Sequence, residues 1–242
     1  LAILSLWRER GALVDALSAG ETRRALAAGY APNGDPAPIV YTADIFDRDA
    51  LDLVVQHGIH VNCGSRDMLH QLGKRASGRE ITLRINPGFG HGHSRKTNTG
   101  GELSKHGIWF EQLPDVLSEA EKLGLSIAGL HMHIGSGTDL EHLAKVCTAM
   151  EEAASVVGPC VRSISAGGGL PIPYRDTDQR IDLGRYFELW DATRKRLEKA
   201  FGHPVRLEIE PGRYLVAEAG YLVTEIRAIK KQANNLFYLV DA

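Results

Sequence analysis

The chain has 242 residues, of which 43% are hydrophobic and 24% charged, and its formal net charge is −2. This is enough for one large globular domain or two small ones. It offers no basic footprint for nucleic acid and no apolar run near the roughly 20 residues that a bilayer span requires.

The three cysteines, Cys63, Cys147 and Cys160, are an odd number without close spacing. The pattern argues against a disulfide framework or a zinc site and for a reducing compartment, the cytoplasm. Arg8, Glu9 and Arg10 interrupt the first ten residues, where no signal-peptide pattern is seen.

In chain order, Leu1 to Arg10 has helical apolar spacing and Gly11 stops it. Ala12 to Ala16 reads as a short strand, followed by a helix from Ser18 through Ala28. Ile39 to Thr42 is the next strand and Arg48 to His57 the next helix, closed by Gly58. The unit repeats as strand His60 to Cys63 and helix Ser65 to Leu72, which Gly73 is expected to stop. Ile81 to Asn86 is a strand. Pro87 to His106 is a long stretch without apolar period, rich in glycine and locally basic through His91, His93, Arg95, Lys96 and Lys105. Such a loop serves an anionic ligand or is simply solvated surface.

Order returns with a helix from Gln112 to Leu123, carrying Pro114 in its first turn. Ile127 to Ile134 is a strand and Leu140 to Val157 a long helix. Strand Ser163 to Ala166, helix Leu183 to Phe201 and strand Arg206 to Glu210 follow. Tyr214 to Ala219 reads as one short helix. Tyr221 to Ile229 and Leu236 to Val240 are strands with no helix between them, the mark of an antiparallel region. The first residue is not Met and the last strand runs to Asp241-Ala242 without a turn, so both ends are expected to be cuts through a longer protein.

Strand–helix alternation implies a parallel sheet. The parallel strands number about seven, near residues 14, 40, 61, 83, 130, 164 and 208, whereas a closed barrel needs eight. In a βα unit the strand comes first, and this chain begins on a helix. The expected fold is therefore a (β/α)8-type barrel lacking its first strand, residues 1–219, followed by the first strands of a C-terminal β domain, residues 220–242. An open doubly wound sheet is the competitor. It would place phosphate-binding glycines after the first strand; here they follow the last two, where barrels commonly hold phosphate.

Three constellations carry possible chemistry. Gly167-Gly168-Gly169 leaves backbone N–H groups unscreened, so an anion can approach them; it also fits a plain tight turn. Glu210-Pro211-Gly212-Arg213 sets a carboxylate and a guanidinium at the next strand end. The two could simply pair, or Glu210 could face a ring nitrogen while Arg213 forks onto a carboxylate or phosphate. In His131-Met-His133-Ile-Gly-Ser136-Gly, residues 131 and 133 share a strand face. They could ligate a metal, though no third ligand is evident, or pack in the core, or one ring could stack on a planar cofactor, with Ser136 turned to phosphate. Arg84 brings an inner charge to the same mouth, as a ligand contact or an ion-pair partner.

The runs H-I-G-S-G, A-G-G-G-L and E-I-E-P-G-R resemble those of the fold-type III pyridoxal-phosphate decarboxylases, which share an alanine-racemase-like barrel. The long run R-I-N-P-G-F-G-H-G-H-S-R-K-T-N-T-G-G-E-L-S-K-H-G-I resembles that of the bacterial diaminopimelate decarboxylases, and the similarity covers the whole chain. The resemblance implies pyridoxal 5'-phosphate as cofactor and no metal. It implies that Gly168 and Gly169 hold the phosphate with help from Ser136, that His133 stacks on the ring, and that Glu210 pairs with the ring nitrogen. Pro211 and Gly212 shape that turn, Arg84 lies beside it, and Arg213 binds cofactor or a substrate carboxylate.

The implied activity is decarboxylation of meso-2,6-diaminopimelate to L-lysine by a homodimeric full-length protein. In this family the cofactor-bearing lysine ends the first barrel strand and a cysteine acid sits in the C-terminal domain. Neither position falls within these residues: Lys74, Lys96 and Lys105 are not in that place, nor are Cys63, Cys147 and Cys160. This stretch alone is therefore expected to be inactive. Leu103 also stands where the family pattern has a polar residue. An ornithine- or arginine-type decarboxylase and a non-catalytic binding barrel are the alternatives.

Overall fold

The computed structural model describes residues 1–90, 99–133 and 139–242. Helix α1 (Ala2–Glu9) precedes β1 (Val14–Ala16). Then come α2 (Ala19–Ala27), β2 (Ile39–Ala43), α3 (Arg48–His57), β3 (His60–Cys63), α4 (Arg66–Arg75) and β4 (Glu80–Asn86). Next in chain order come β5 (Ile108–Trp109), α5 (Leu113–Lys122), β6 (Ser126–His131), α6 (Leu140–Val157), β7 (Ser163–Ser165), α7 (Leu183–Phe201) and β8 (Arg206–Glu208). A short α8 (Gly212–Val216) leads to β9 (Ile226–Gln232) and β10 (Asn235–Val240).

Local chemistry starts and stops these elements. Ser18, Asp47, Ser65 and Asp182 each accept a backbone N–H from the first turn of the helix they precede, satisfying donors that the helix itself leaves open. Glu21 also accepts the Leu17 N–H at 2.7 Å, one residue before the N-cap, which ties the entering chain to the first turn. Gly58 and Gly202 end α3 and α7 in the left-handed conformation, which glycine adopts without steric penalty.

The main sheet runs β1-β2-β3-β4-β6-β7-β8, with every pairing parallel, and β5 adds to the end of β4. Strands covered on both faces read as apolar runs, and Ile81, Leu83, Leu130 and Ile164 are fully buried here. The sheet curls. Arg206 on β8 bonds Asp35, which lies just before β2, at 2.9 Å, and residues of β1 and β8 line one cavity. This is a (β/α) barrel in which, among the described residues, β1 and β8 each pair on one side only. Strands β9 and β10 form a separate antiparallel pair, exposed throughout.

Two expectations fail and one strand goes unread, each for a local reason. Gly73 does not stop α4, which runs on to Arg75. A Cβ at Gly73 would fall 2.7 Å from Leu123 Cβ, so the glycine lets the segment after α5 approach. Strand β5 is only two residues long, too short to register as a pattern. Residues 221–225, apolar enough to suggest a strand, form none, and β9 starts at Ile226.

Candidate functional site

Register builds the site. Arg84, His131, Ser165 and Glu208 are successive neighbours across β4, β6, β7 and β8, and so form one row around the barrel wall. Beyond the regular strands the ladder continues. The Ala166 N–H donates to the Glu208 carbonyl at 2.9 Å, and the Glu210 N–H to the Gly167 carbonyl at 2.9 Å. The glycine triplet and the Glu210 turn are thus bonded neighbours at the mouth. They open onto a cavity of about 660 Å³ that Asp15, Arg84, His131, His133, Gly168 and Glu210 help to line.

Glu210 is held from two sides. Nε2 of the buried His131 lies 3.0 Å from one carboxylate oxygen and 3.1 Å from the other. The Ser165 hydroxyl donates at 3.1 Å. Burial alone would raise the Glu210 carboxyl. The His131 charge and hydrogen bond, the nearby His133 and the Ser165 hydroxyl outweigh it, and hold the carboxyl at about 2.

Asp15 on β1 behaves oppositely. Burial first, and then the charge of Glu210, push it well above the usual carboxylate range, and its Oδ1 is buried without a hydrogen-bond partner among the described residues. Of these two cavity carboxyls, Glu210 is pushed towards its charged form and Asp15 towards its neutral form. Burial lowers Arg84, while Asp44, Glu210 and Asp15 favour its charged form.

His133 is pushed down to about 4 by burial, then by His131 and Arg84. Its Nδ1 accepts the Gly168 N–H at 2.8 Å, a role open only to the unprotonated nitrogen. Its ring lies 6.5 Å from that of His131, inclined by 26°. His60, bonded to Thr82 at 2.9 Å, is likewise lowered to about 4, chiefly by burial.

Both imidazoles have folded values below the ordinary 6.5. Their contribution to stability is complete above pH 6.5 and is lost as pH falls from 6.5 towards 4. Glu210 adds a loss between 4.5 and about 2. Denaturation midpoints of the whole protein are expected to fall steadily below pH 6.5, and His60→Gln to flatten that slope. An unchanged slope in the variant would contradict the assignment.

The cradle admits little but glycine. A Cβ on Gly168 would lie 2.8 Å from Cε1 of His133 and 2.9 Å from the Glu210 carbonyl oxygen. Gly167 has φ +65°, and its Cβ would lie 2.6 Å from the Met132 carbonyl oxygen. The Gly167 N–H goes to the Ser165 hydroxyl at 3.2 Å and the Gly168 N–H to His133. Gly169 keeps its N–H uncommitted among the described residues.

Pro211 and Gly212 line the cavity. Arg213 does not: its guanidinium bonds the Tyr174 hydroxyl and lies 5.9 Å from that ring's centre. Arg213 is thus placed beside Tyr174 and is not among the residues that line the cavity. Ser136 and the basic loop residues His91, His93, Arg95 and Lys96 lie outside the described residues. Lys105 is exposed, and no lysine lines the cavity among the described residues. Sequence reasoning missed Ser165 and the role of His131. The strand register beside Gly167 was the signal that could have found Ser165.

The family model for the pyridoxal-dependent decarboxylases, pyridoxal binding domain, matches residues 1–217. The chain is 58% identical over 242 residues to the diaminopimelate decarboxylase of Streptomyces coelicolor, covering all of this chain and 55% of that protein. It is 51% identical over 240 residues to that of Escherichia coli K12, covering 99% of this chain and 57% of that protein. A crystal structure of diaminopimelate decarboxylase superposes with a TM-score of 0.92 at 51% identity, over all of this chain and 57% of the other. The chain therefore spans a little over half the length of these relatives. No described helix is long and apolar enough to cross a membrane.

Proposed function

The chain belongs to the pyridoxal-dependent decarboxylases, and from that premise we propose that the whole protein decarboxylates meso-2,6-diaminopimelate to L-lysine and CO2, with this chain as its pyridoxal-phosphate-binding barrel. The observation that carries the proposal is Glu210, a carboxylate held ionised by His131 and Ser165 at the lip of the glycine cradle. The relatives at 58% and 51% identity supply the substrate.

The cavity fits the cofactor by its own chemistry. A Cβ on Gly167 or Gly168 would fill the cradle. The Gly169 N–H is open to a phosphate, and the neutral His133 ring can lie against a pyridine without adding charge. Glu210 stays charged through the neutral pH range, and so can hold a proton on a ring nitrogen. Pyridoxal phosphate supplies the electron sink that takes up the pair left when CO2 departs. The chain's own tasks are to grip the phosphate, fix the ring and hold that proton in place.

Arg84, buried beside His131, provides fixed positive charge at the same level, and Ser136 adds a phosphate contact. On this reading the 242-residue stretch alone is expected to be inactive, and no described lysine lines the cavity. Residues 1–219 form the barrel domain and residues 220–242 begin a β domain. The whole protein works in the cytoplasm as a homodimer. The free thiols Cys63 and Cys147, raised by burial to about 12 and about 11, suit a reducing compartment.

The test is CO2 release by the whole protein with pyridoxal phosphate, using meso-diaminopimelate, ornithine and arginine in parallel. Turnover of diaminopimelate at least about 100-fold faster than of the other two is expected, a discrimination within reach of buried polar recognition. Preference for ornithine or arginine, or no release from any of the three, would contradict the proposal.

A further inference from the structure

Asp44 directly follows β2, and its carboxylate is committed on both oxygens. Oδ1 accepts the Gly107 N–H at 2.9 Å, and Oδ2 lies 2.5 Å from Nδ1 of His106. The Asp44 carbonyl accepts the Ser65 hydroxyl at 2.7 Å. Gly64 makes room for this arrangement: a Cβ there would fall 2.3 Å from Asp44 Oδ1 and 2.5 Å from the Ala43 carbonyl oxygen. Gly107 has φ +79°, and its Cβ would meet the Asn86 nitrogen at 3.1 Å and the Arg84 carbonyl oxygen at 3.2 Å. The turn that carries His106 is therefore pressed against β4. None of the roles assigned above uses this pair.

An ionised carboxylate only accepts, so in the neutral ring the shared hydrogen belongs to Nδ1. Nε2 then keeps its lone pair, and it makes no hydrogen bond among the described residues. The ring lines the same cavity as Arg84, His131 and His133. His60, also on this cavity, has Nε2 engaged by Thr82, and the rings of His131 and His133 are set the other way. Nδ1 of His133 accepts from Gly168, which leaves the hydrogen on Nε2. Nε2 of His131 faces the Glu210 carboxylate as a donor. Of these cavity histidines, His106 is left with an accepting ring nitrogen, Nε2, that has no partner among the described residues.

We propose that Asp44 is a positioning residue that fixes His106 as a hydrogen-bond acceptor for an N–H or O–H donor of the bound ligand. The fixed orientation follows the general use of a carboxylate to set an imidazole tautomer. The identity of the ligand rests on the decarboxylase reading above. Two groups share the required chemistry: the ring hydroxyl of pyridoxal phosphate and the ammonium of an amino acid.

The experiment is 15N NMR of histidine-labelled whole protein at pH about 8, above the ordinary imidazole range. Without ligand, His106 is expected to show a protonated Nδ1 and an unprotonated Nε2. Asp44→Asn is expected to reverse that tautomer, because its amide oxygen can keep the Gly107 N–H while its N–H turns to Nδ1. This result needs no ligand, so it is decided separately from the decarboxylase assignment. Pyridoxal phosphate is then added alone, followed by L-lysine. A shift of the Nε2 resonance at the first addition identifies the hydroxyl as donor, and a shift at the second identifies the ammonium. His106→Phe is expected to weaken binding of that ligand about tenfold, and His106→Gln, whose carbonyl still accepts, to keep it within about threefold. A protonated Nε2 in the ligand-free protein, a tautomer unmoved by Asp44→Asn, or an Nε2 indifferent to both ligands when both bind would overturn the proposal. If neither ligand binds, the decarboxylase reading fails, and the ligand-free tautomer decides this one.

Discussion

Glu210→Gln in the whole protein is expected to lower kcat by roughly 10²–10³, the range seen when one preorganised electrostatic partner is removed. The substitution is nearly isosteric. The glutamine carbonyl can still accept from Nε2 of His131, which lies 3.1 Å from the Glu210 carboxylate, and the Ser165 hydroxyl can rotate. The fold and most of the cofactor affinity should therefore survive. The negative charge does not survive. Glu210 is the cavity carboxyl held at about 2, whereas burial, ahead of the Glu210 charge, pushes Asp15 well above the usual carboxylate range and so disfavours its taking over that charge. Without Glu210 the ring nitrogen loses the partner that keeps it protonated, and the sink for electrons weakens. Steady-state kinetics with a cofactor titration checks this. A kcat within about threefold of the wild type, with cofactor bound, would remove Glu210 from the chemistry.

Gly168→Ala is expected to weaken pyridoxal phosphate binding by about 10–100-fold, the equivalent of overpacking a close contact. The backbone there is not in the left-handed region, so conformation is not the obstacle; space is. The new methyl would meet Cε1 of His133 at 2.8 Å and the Glu210 carbonyl oxygen at 2.9 Å. That stretch of backbone is tied by the Glu210 N–H bond to Gly167, so the imidazole has to move. The bond from Gly168 to Nδ1 breaks with it, and the ring surface offered to the cofactor is lost. Absorbance titration with the cofactor reads the affinity, and circular dichroism confirms the fold. Unchanged affinity would show that the cradle is not where the cofactor sits.

Much of this architecture is legible before any coordinates. Seven parallel strands stand where short apolar runs sit between glycine-stopped helices, and α3, α6 and α7 begin and end at the expected residues. Strong periodicity and a clear cap fix those limits. Gly73 misleads because a glycine that admits a neighbouring side chain looks the same as one that ends a helix. The pair β9 and β10 is legible as antiparallel, but its first strand starts later than apolarity alone suggests, since residues 221–225 are apolar without being paired.

The site divides in the same way. The adjacency of Gly167 and Glu210 is readable because both follow neighbouring strands of one alternating pattern. The anchors of Glu210 are not. Ser165 and His131 reach it through cross-strand register, which joins residues 45 and 79 positions away. Asp44 and His106 are 62 positions apart, and neither lies in a spacing that marks a pair. The contact of Arg213 with Tyr174 is likewise illegible, because the two are 39 positions apart and the motif around Arg213 does not contain Tyr174.

The central claim is that Glu210, fixed by His131 and Ser165, keeps a proton on the ring nitrogen of a cofactor seated in this cavity. Pyridoxal phosphate labelled with 15N at that nitrogen, bound to the whole protein, tests it most directly. The account predicts a protonated ring-nitrogen resonance in the wild type that moves to the unprotonated range in Glu210→Gln. An unprotonated nitrogen in the wild type, or a resonance identical in the two proteins, would contradict it.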